Sequence, residues 1–142
     1  VERLLETGHV DVLKLNVDEG SALTGGESPA LIAARAFERF SLTALLLTDG
    51  PQAAWAFEAG AAWRIDLPVI KAVNPIGAGD TCAAVTMTEW LRGAAPLKAF
   101  VAGLAAASAS CLTLQGGRFD PETARRLADA MTPVDVAVQT EA

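Results

Sequence analysis

Gly77, Ala78, Gly79 and Asp80 are the stretch of this 142-residue chain whose residue types and spacing best fit chemistry on a charged group. The glycines permit a tight turn and let another group approach the backbone closely. Behind them, residues 80–92 read as a helix, with Ala83, Ala84, Met87, Trp90 and Leu91 on one apolar face. The turn therefore delivers N–H groups to a helix N-terminus, where unpaired donors and the macrodipole favour negative charge. Asp80 places a carboxylate at the same spot. That layout suits phosphoryl transfer, whose transition state needs charge stabilisation and whose nucleophile must lose a proton. The plain alternative is a loop entering a helix, because G-x-G alone is a weak signal. Two other phosphate motifs are excluded: the chain has no G-x-x-x-x-G-K-[ST], and Cys82 stands where a dinucleotide fingerprint wants a third glycine.

The elements that must position this turn alternate between strand and helix, which implies a parallel-type α/β/α layer structure. Residues 1–7 read as the last turns of a helix stopped by Gly8, and residues 10–15 as a buried strand. That strand ends at Asn16, so Asn16 and Glu19 fall at its C-terminal edge, where open α/β sheets bind ligands. Glu19 is read equally well as a helix-start carboxylate complementing the dipole. Ser28 and Pro29 start a helix to about Phe40, burying Leu31, Ile32 and Phe37. Residues 44–47 form the next buried strand, ending at Thr48 and Gly50, and residues 54–58 and 61–65 form a hairpin across Ala59 and Gly60. Trp55 and Trp63 read as hairpin packing and Lys71 as a solvated cation. Pro96 opens a helix rich in small residues that ends at 115–117, and Asp120-Pro121 starts an amphipathic helix with Leu127 and Met131 inward. Residues from 132 onward read as a loosely held tail.

Residues 74–80, Asn-Pro-Ile-Gly-Ala-Gly-Asp, followed by Thr81, Cys82, Ala83 and Ala84, resemble the second signature of the ribokinase-like (PfkB-type) carbohydrate kinases, D-T-x-G-A-G-D. Upstream, residues 13–19 with Leu23, Thr24 and Gly25 resemble that family's K-P-N-x-x-E…L-T-G stretch, and residues 46–50 its T-x-G element. The matches come in the family's order. The resemblance implies a three-layer α/β/α ribokinase-like fold, of which residues 1–131 would be the C-terminal, nucleotide-binding part and 132–142 a tail. It implies ATP-dependent phosphorylation of a sugar or sugar-phosphate hydroxyl. Asp80 would accept the proton and the Gly77, Ala78 and Gly79 amides would hold the transferred group. Asn16, Thr48 and Gly50 would lie at the nucleotide, and Glu19 would position Mg2+, through water. The sugar-binding half and lid of such kinases would be an N-terminal partner half absent from these residues, and a homodimer is left open.

This sequence departs from the pattern in four places. Asn74-Pro75 replaces D-T, as in the tagatose-6-phosphate and fructose-phosphate kinases; Leu15 replaces a proline; Ala53 replaces a glycine. Ala105 and Ala106 stand where many members carry an asparagine near the adenine. A degenerate, non-catalytic nucleotide-binding or interaction module is the competing expectation.

Composition bounds these readings. Half of the residues are hydrophobic and a fifth charged, which suits one domain with a core rather than disorder. A net charge of −6 argues against nucleic acid or an anionic membrane as partner. Anion binding would have to be local, through backbone amides. Cys82 and Cys111 read as small buried residues in a reducing, cytoplasmic compartment. His9, the one histidine, reads as a surface residue, so no Cys/His zinc set can be assembled. The apolar stretch 100–114 is shorter than a bilayer crossing and reads as a buried helix.

Overall fold

Ala44, Leu45, Leu46 and Leu47 are all fully buried in the computed structural model. They belong to strand β2 (Ala44–Asp49), whose unbroken apolar run means that both of its faces are covered. The structure describes residues 1–136. These divide into two units, one of residues 1–65 with the segment from Pro133 onward, the other of residues 66–132.

The first unit opens with the one-turn helix α1 (Glu2–Leu5) and continues through β1 (Val12–Asn16), α2 (Val17–Thr24), α3 (Pro29–Arg39), β2, β3 (Ala53–Glu58) and β4 (Ala61–Asp66). Strand β5 (Val134–Asp135) joins from the end of the chain, and the sheet order is β1-β2-β3-β4-β5. β1 and β2 are parallel, with Asn16 opposite Thr48. β2 and β3 are antiparallel, as are β4 and β5. The expected parallel-type sheet is therefore confined to the first pair, and the sheet is mixed. The reason is connection length: α2 and α3 form a crossover between β1 and β2, whereas tight turns follow β2 and β3, and short turns make antiparallel neighbours.

The expected loose tail is corrected in part. Val134 and Asp135 pair with Arg64 and Trp63, and the Val136 N–H donates to the Ala62 carbonyl at 2.9 Å. Residues 137–142 of that tail lie outside the described residues.

Helix α3 starts as its sequence dictates: Pro29 occupies the first turn and Ser28 Oγ accepts the Leu31 N–H at 3.3 Å. It turns Ile32, Ala33 and Ala36 onto Leu45, Leu47 and Phe57 of the sheet. Each large side chain buried in this way contributes about 1.5–3 kcal/mol. Leu31 and Phe37, expected inward beside Ile32, are only half-buried.

The second unit consists of α4 (Ala78–Leu91), α5 (Pro96–Ser110), α6 (Pro121–Ala130) and their connections. α5 is the centre, with Ala99, Phe100, Leu104, Ala105, Ala106 and Ala109 buried. Its small residues let α4 come very close. A Cβ added at Gly103 would collide with the Thr86 hydroxyl and stand 2.6 Å from the Cys82 carbonyl oxygen. α4 consequently turns Thr81, Cys82 and Thr86 inward, while Ala84, Met87 and Leu91, expected on its packed face, are exposed. The contact selects by size rather than by hydrophobicity. α5 also stops at Ser110 rather than at 115–117, and residues 111–117 form turns. α6 packs Ala124 and Leu127 against Ala106 and Ala109, and Met131 is buried at its end. Among the described residues no helix is long and apolar enough to cross a membrane.

Candidate active site

In the first unit, β1 ends where α2 begins. Asn16 keeps an extended backbone (φ −85°, ψ 168°) and caps the helix. Asn16 Oδ1 accepts the Glu19 N–H at 2.8 Å, and Glu19 Oε2 accepts the Asn16 N–H at 2.8 Å. This reciprocal capping box satisfies two donors that a helix start would otherwise leave open. Glu19 is therefore a structural residue of the helix start whatever else it does, and the box engages one of its two carboxylate oxygens. Thr48 lies level with Asn16 on the neighbouring strand, its Oγ1 3.5 Å from the Leu15 carbonyl oxygen. Gly50 follows in the turn after β2, with φ 54°. Asn16, Glu19 and Thr48 thus share the C-terminal edge of the parallel pair, with Gly50 two residues beyond.

The glycine turn belongs to the second unit. Gly77 is the N-cap of α4 in the left-handed region (φ 80°, ψ 3°), a conformation that only glycine adopts without strain. Having no side chain, it offers no cap. The Ala78 N–H turns back to the Pro75 carbonyl at 3.2 Å, and the Gly77 carbonyl accepts both the Thr81 N–H at 2.9 Å and the Thr81 hydroxyl at 2.8 Å. Among the described residues nothing accepts from the Gly77, Gly79 or Asp80 N–H. The open donors are thus Gly77, Gly79 and Asp80 rather than the expected Gly77, Ala78 and Gly79. Asp80 occupies the third helical position, exposed, and its carboxylate makes no hydrogen bond or ion pair among the described residues.

Sequence reasoning missed what stands behind this turn. The Asn74 Nδ2–H donates to the Leu114 carbonyl at 3.0 Å, and Asn74 Oδ1 accepts the Ile76 N–H at 3.0 Å. Gly116 and Gly117 lie against Ile76 and Gly77: a Cβ on Gly77 would stand 3.5 Å from the Gly117 nitrogen. The adjacent glycines at 116–117 were the available signal, but they read as a helix end.

Residues 1–123 match the model of the pfkB family carbohydrate kinases. The chain belongs to this family. Among solved structures it is similar to a protein assigned as a phosphofructokinase from Staphylococcus aureus, with a TM-score of 0.80 at 18% identity over 96% of this chain and 45% of that one. Phosphofructokinase-2 from Escherichia coli gives 0.78 at 24% identity, over 91% and 43%. A ribokinase from Arabidopsis thaliana, solved with ribose and ATP, gives 0.76 at 23% identity, over 90% and 43%. At these identities the likeness shows the fold, α/β and ribokinase-like. The chain spans less than half the length of these structures, as their C-terminal part would. Comparison with individually curated sequences gives no significant match. Ala105 and Ala106 are each 1% exposed and serve the core of the second unit.

Proposed function

We propose that residues 1–131 are the C-terminal, nucleotide-binding part of a pfkB kinase that transfers a phosphoryl group from ATP to a hydroxyl of a sugar or sugar phosphate. The observation that carries this reading is the head of α4. Open N–H donors of Gly79 and Asp80 stand beside the exposed Asp80 carboxylate, in a chain of this family. Unpaired amides at the N-terminus of a 14-residue helix fit a phosphate by charge and by hydrogen bonding. The Glu19 oxygen left outside the capping box fits a water of a hydrated Mg2+, which keeps much of its hydration when bound. When bound, Mg–ATP supplies the phosphoryl group and neutralises part of the phosphate charge.

The residues of the chain do the rest. The Gly77, Gly79 and Asp80 N–H groups donate to the transferred group as charge develops on it. The Asp80 carboxylate accepts the proton of the attacking hydroxyl. Asn16, Thr48 and Gly50 border the nucleotide phosphates. The Asn74-Pro75 pair supports a phosphorylated ketose as acceptor in preference to free ribose. A second reading, nucleotide binding without catalysis, is favoured by the burial of Ala105 and Ala106, which removes a polar contact from the adenine side.

Calorimetry of residues 1–142 with Mg–ATP, run beside a coupled ADP-release assay on several sugars, tests the assignment. Weak Mg–ATP binding without sugar-dependent ADP release is expected, because losing acceptor orientation forfeits roughly 7–11 kcal/mol of the barrier reduction. Sugar-dependent ADP release would place an acceptor site within these residues, and absent nucleotide binding would remove the reading.

A further inference from the structure

We infer that Asn74 is a positioning residue for the glycine turn, acting through both ends of its side-chain amide; this rests on the phosphate-binding reading of that turn. One end of the amide, Oδ1, accepts the Ile76 N–H at 3.0 Å and so sets the chain direction one residue before Gly77. The other end, Nδ2, donates to the Leu114 carbonyl at 3.0 Å, across 40 residues of sequence.

What Asn74 grips is itself held fast. The Thr113 hydroxyl lies 3.1 Å from the Ser110 carbonyl oxygen, 2.8 Å from that of Gln115 and 3.0 Å from that of Arg118. The Arg118 guanidinium donates to Gln115 Oε1 at 3.2 Å. On the near side, the Val73 and Asn74 N–H groups both donate to the Cys111 carbonyl, at 2.7 and 3.1 Å. A Cβ on Gly116 would stand 2.5 Å from the Ile76 carbonyl oxygen, so the loop and the turn are in backbone contact.

Asn74 is half-buried at this seam, and an amide meets both demands: an acceptor toward Ile76 and a donor toward Leu114. An ionised aspartate supplies the first and opposes the second. The Gly79 and Asp80 amides follow within six residues of this anchor, so its loss shifts or loosens the donors without removing any of them.

Asn74→Asp and Asn74→Ser in the 142-residue chain test this with two readouts. The first needs no ligand: amide hydrogen exchange at Ile76, Ala78 and Thr81, the turn's hydrogen-bonded N–H groups, by NMR, as a ratio to the parent at each pH. At pH ~8 both variants are expected to exchange at least tenfold faster at these positions, with α5 and α6 unchanged. As pH falls toward ~3, the aspartate becomes a protonated donor and its ratio is expected to return to within about twofold of the parent. Serine, too short to reach Leu114, is not rescued. Lys71, Asp80 and Arg118, the charged groups on the adjoining segments, are common to all three chains and cancel in the ratio. The second readout is Mg–ATP affinity at pH ~8, expected to fall about tenfold in both variants. Parent-like exchange in both variants would overturn the inference. So would faster exchange throughout α5 and α6, which would make Asn74 a general stability residue. A parent chain that binds no Mg–ATP would refute the phosphotransfer reading, while the exchange ratios still decide the role of Asn74.

Discussion

The starts of α2 and α4 solve the same problem in opposite ways. α2 follows β1 directly and α4 follows the glycine turn, and both carry an acidic residue in the third helical position, Glu19 in one and Asp80 in the other. At α2 the side chains close on the backbone: Asn16 and Glu19 each accept the other's N–H at 2.8 Å. At α4 the N-cap is Gly77, which has nothing to offer, and the Gly79 and Asp80 N–H groups stay open. Glycine is itself a favoured N-cap, roughly a few tenths of a kcal/mol short of a capping side chain, so this start costs the fold little while its donors stay uncovered. The self-capped start serves the fold first. The uncapped one is left ready for an external acceptor, and an anion is the partner that unpaired amides and a helix dipole favour.

The widest gap between the two starts should appear on removing their acids. Asp80→Asn in the full-length protein keeps size and removes the proposed proton acceptor, with an expected loss of about 10²–10⁴ in kcat and little change in nucleotide affinity. A near-normal kcat would reduce Asp80 to the structural rank of Glu19. Next in size is the amide itself. Gly79→Val should obstruct the approach to the open N–H, and loss of one such donor is worth about 10²–10³ in kcat. Circular dichroism and melting distinguish that outcome from misfolding, and a folded, fully active Gly79→Val would argue that the open donors are incidental.

Two substitutions at α2 sharpen the contrast from the other side. Asn16→Ala opens the capping box and is expected to lower stability by about 1 kcal/mol in denaturant unfolding. Glu19→Gln keeps the box, because glutamine also accepts the N-cap N–H. Its stability should stay within about 0.5 kcal/mol of the parent. If Glu19 also holds a Mg2+ water, the same variant needs more Mg2+ for half-maximal activity. An unchanged Mg2+ dependence would leave Glu19 with its cap alone.

How much of this was legible follows the range of the interactions. Asn16 and Glu19, Ser28 and Pro29, the 77–80 turn and Asp120 with Pro121 act within four residues of themselves, and the sequence displays them directly. The hairpin across Ala59 and Gly60 is equally local. What stayed hidden depends on distant partners. Asn74 reads as a motif departure until Leu114, 40 residues on, is seen accepting from it. The inward face of α4 depends on the small surface of α5, where Gly103 admits Thr86 and Cys82, so the hydrophobic stripe through Met87 and Leu91 misleads. β5 is too short to announce itself and exists because β4 offers an edge to pair with. The open amides of the candidate site show the same limit. The turn was legible, but the diversion of the Ala78 N–H to Pro75 is a matter of backbone geometry.

The start of α6 supplies a third case and the smallest expected effect. Asp120 Oδ2 accepts from the Thr123 hydroxyl at 2.7 Å and from the Thr123 N–H at 2.9 Å, so this start is closed by a side chain, as at α2. These bonds, the hydroxyl first, hold the Asp120 carboxyl below its ordinary range, with smaller help from the Glu122 N–H and the Arg126 charge. A carboxyl lower in the folded than in the unfolded chain adds stability above the unfolded value, about 3.9. That contribution disappears as pH falls through the folded value. Asp120→Asn keeps a neutral acceptor for Thr123 and has no proton to gain. The difference in melting temperature between parent and variant should therefore be constant above pH ~5 and shift against the parent as pH falls below ~4. A difference that stays flat down to pH ~2 would mean that the charge on Asp120 adds nothing to this helix start. The cap would then work through its geometry alone, as an asparagine does.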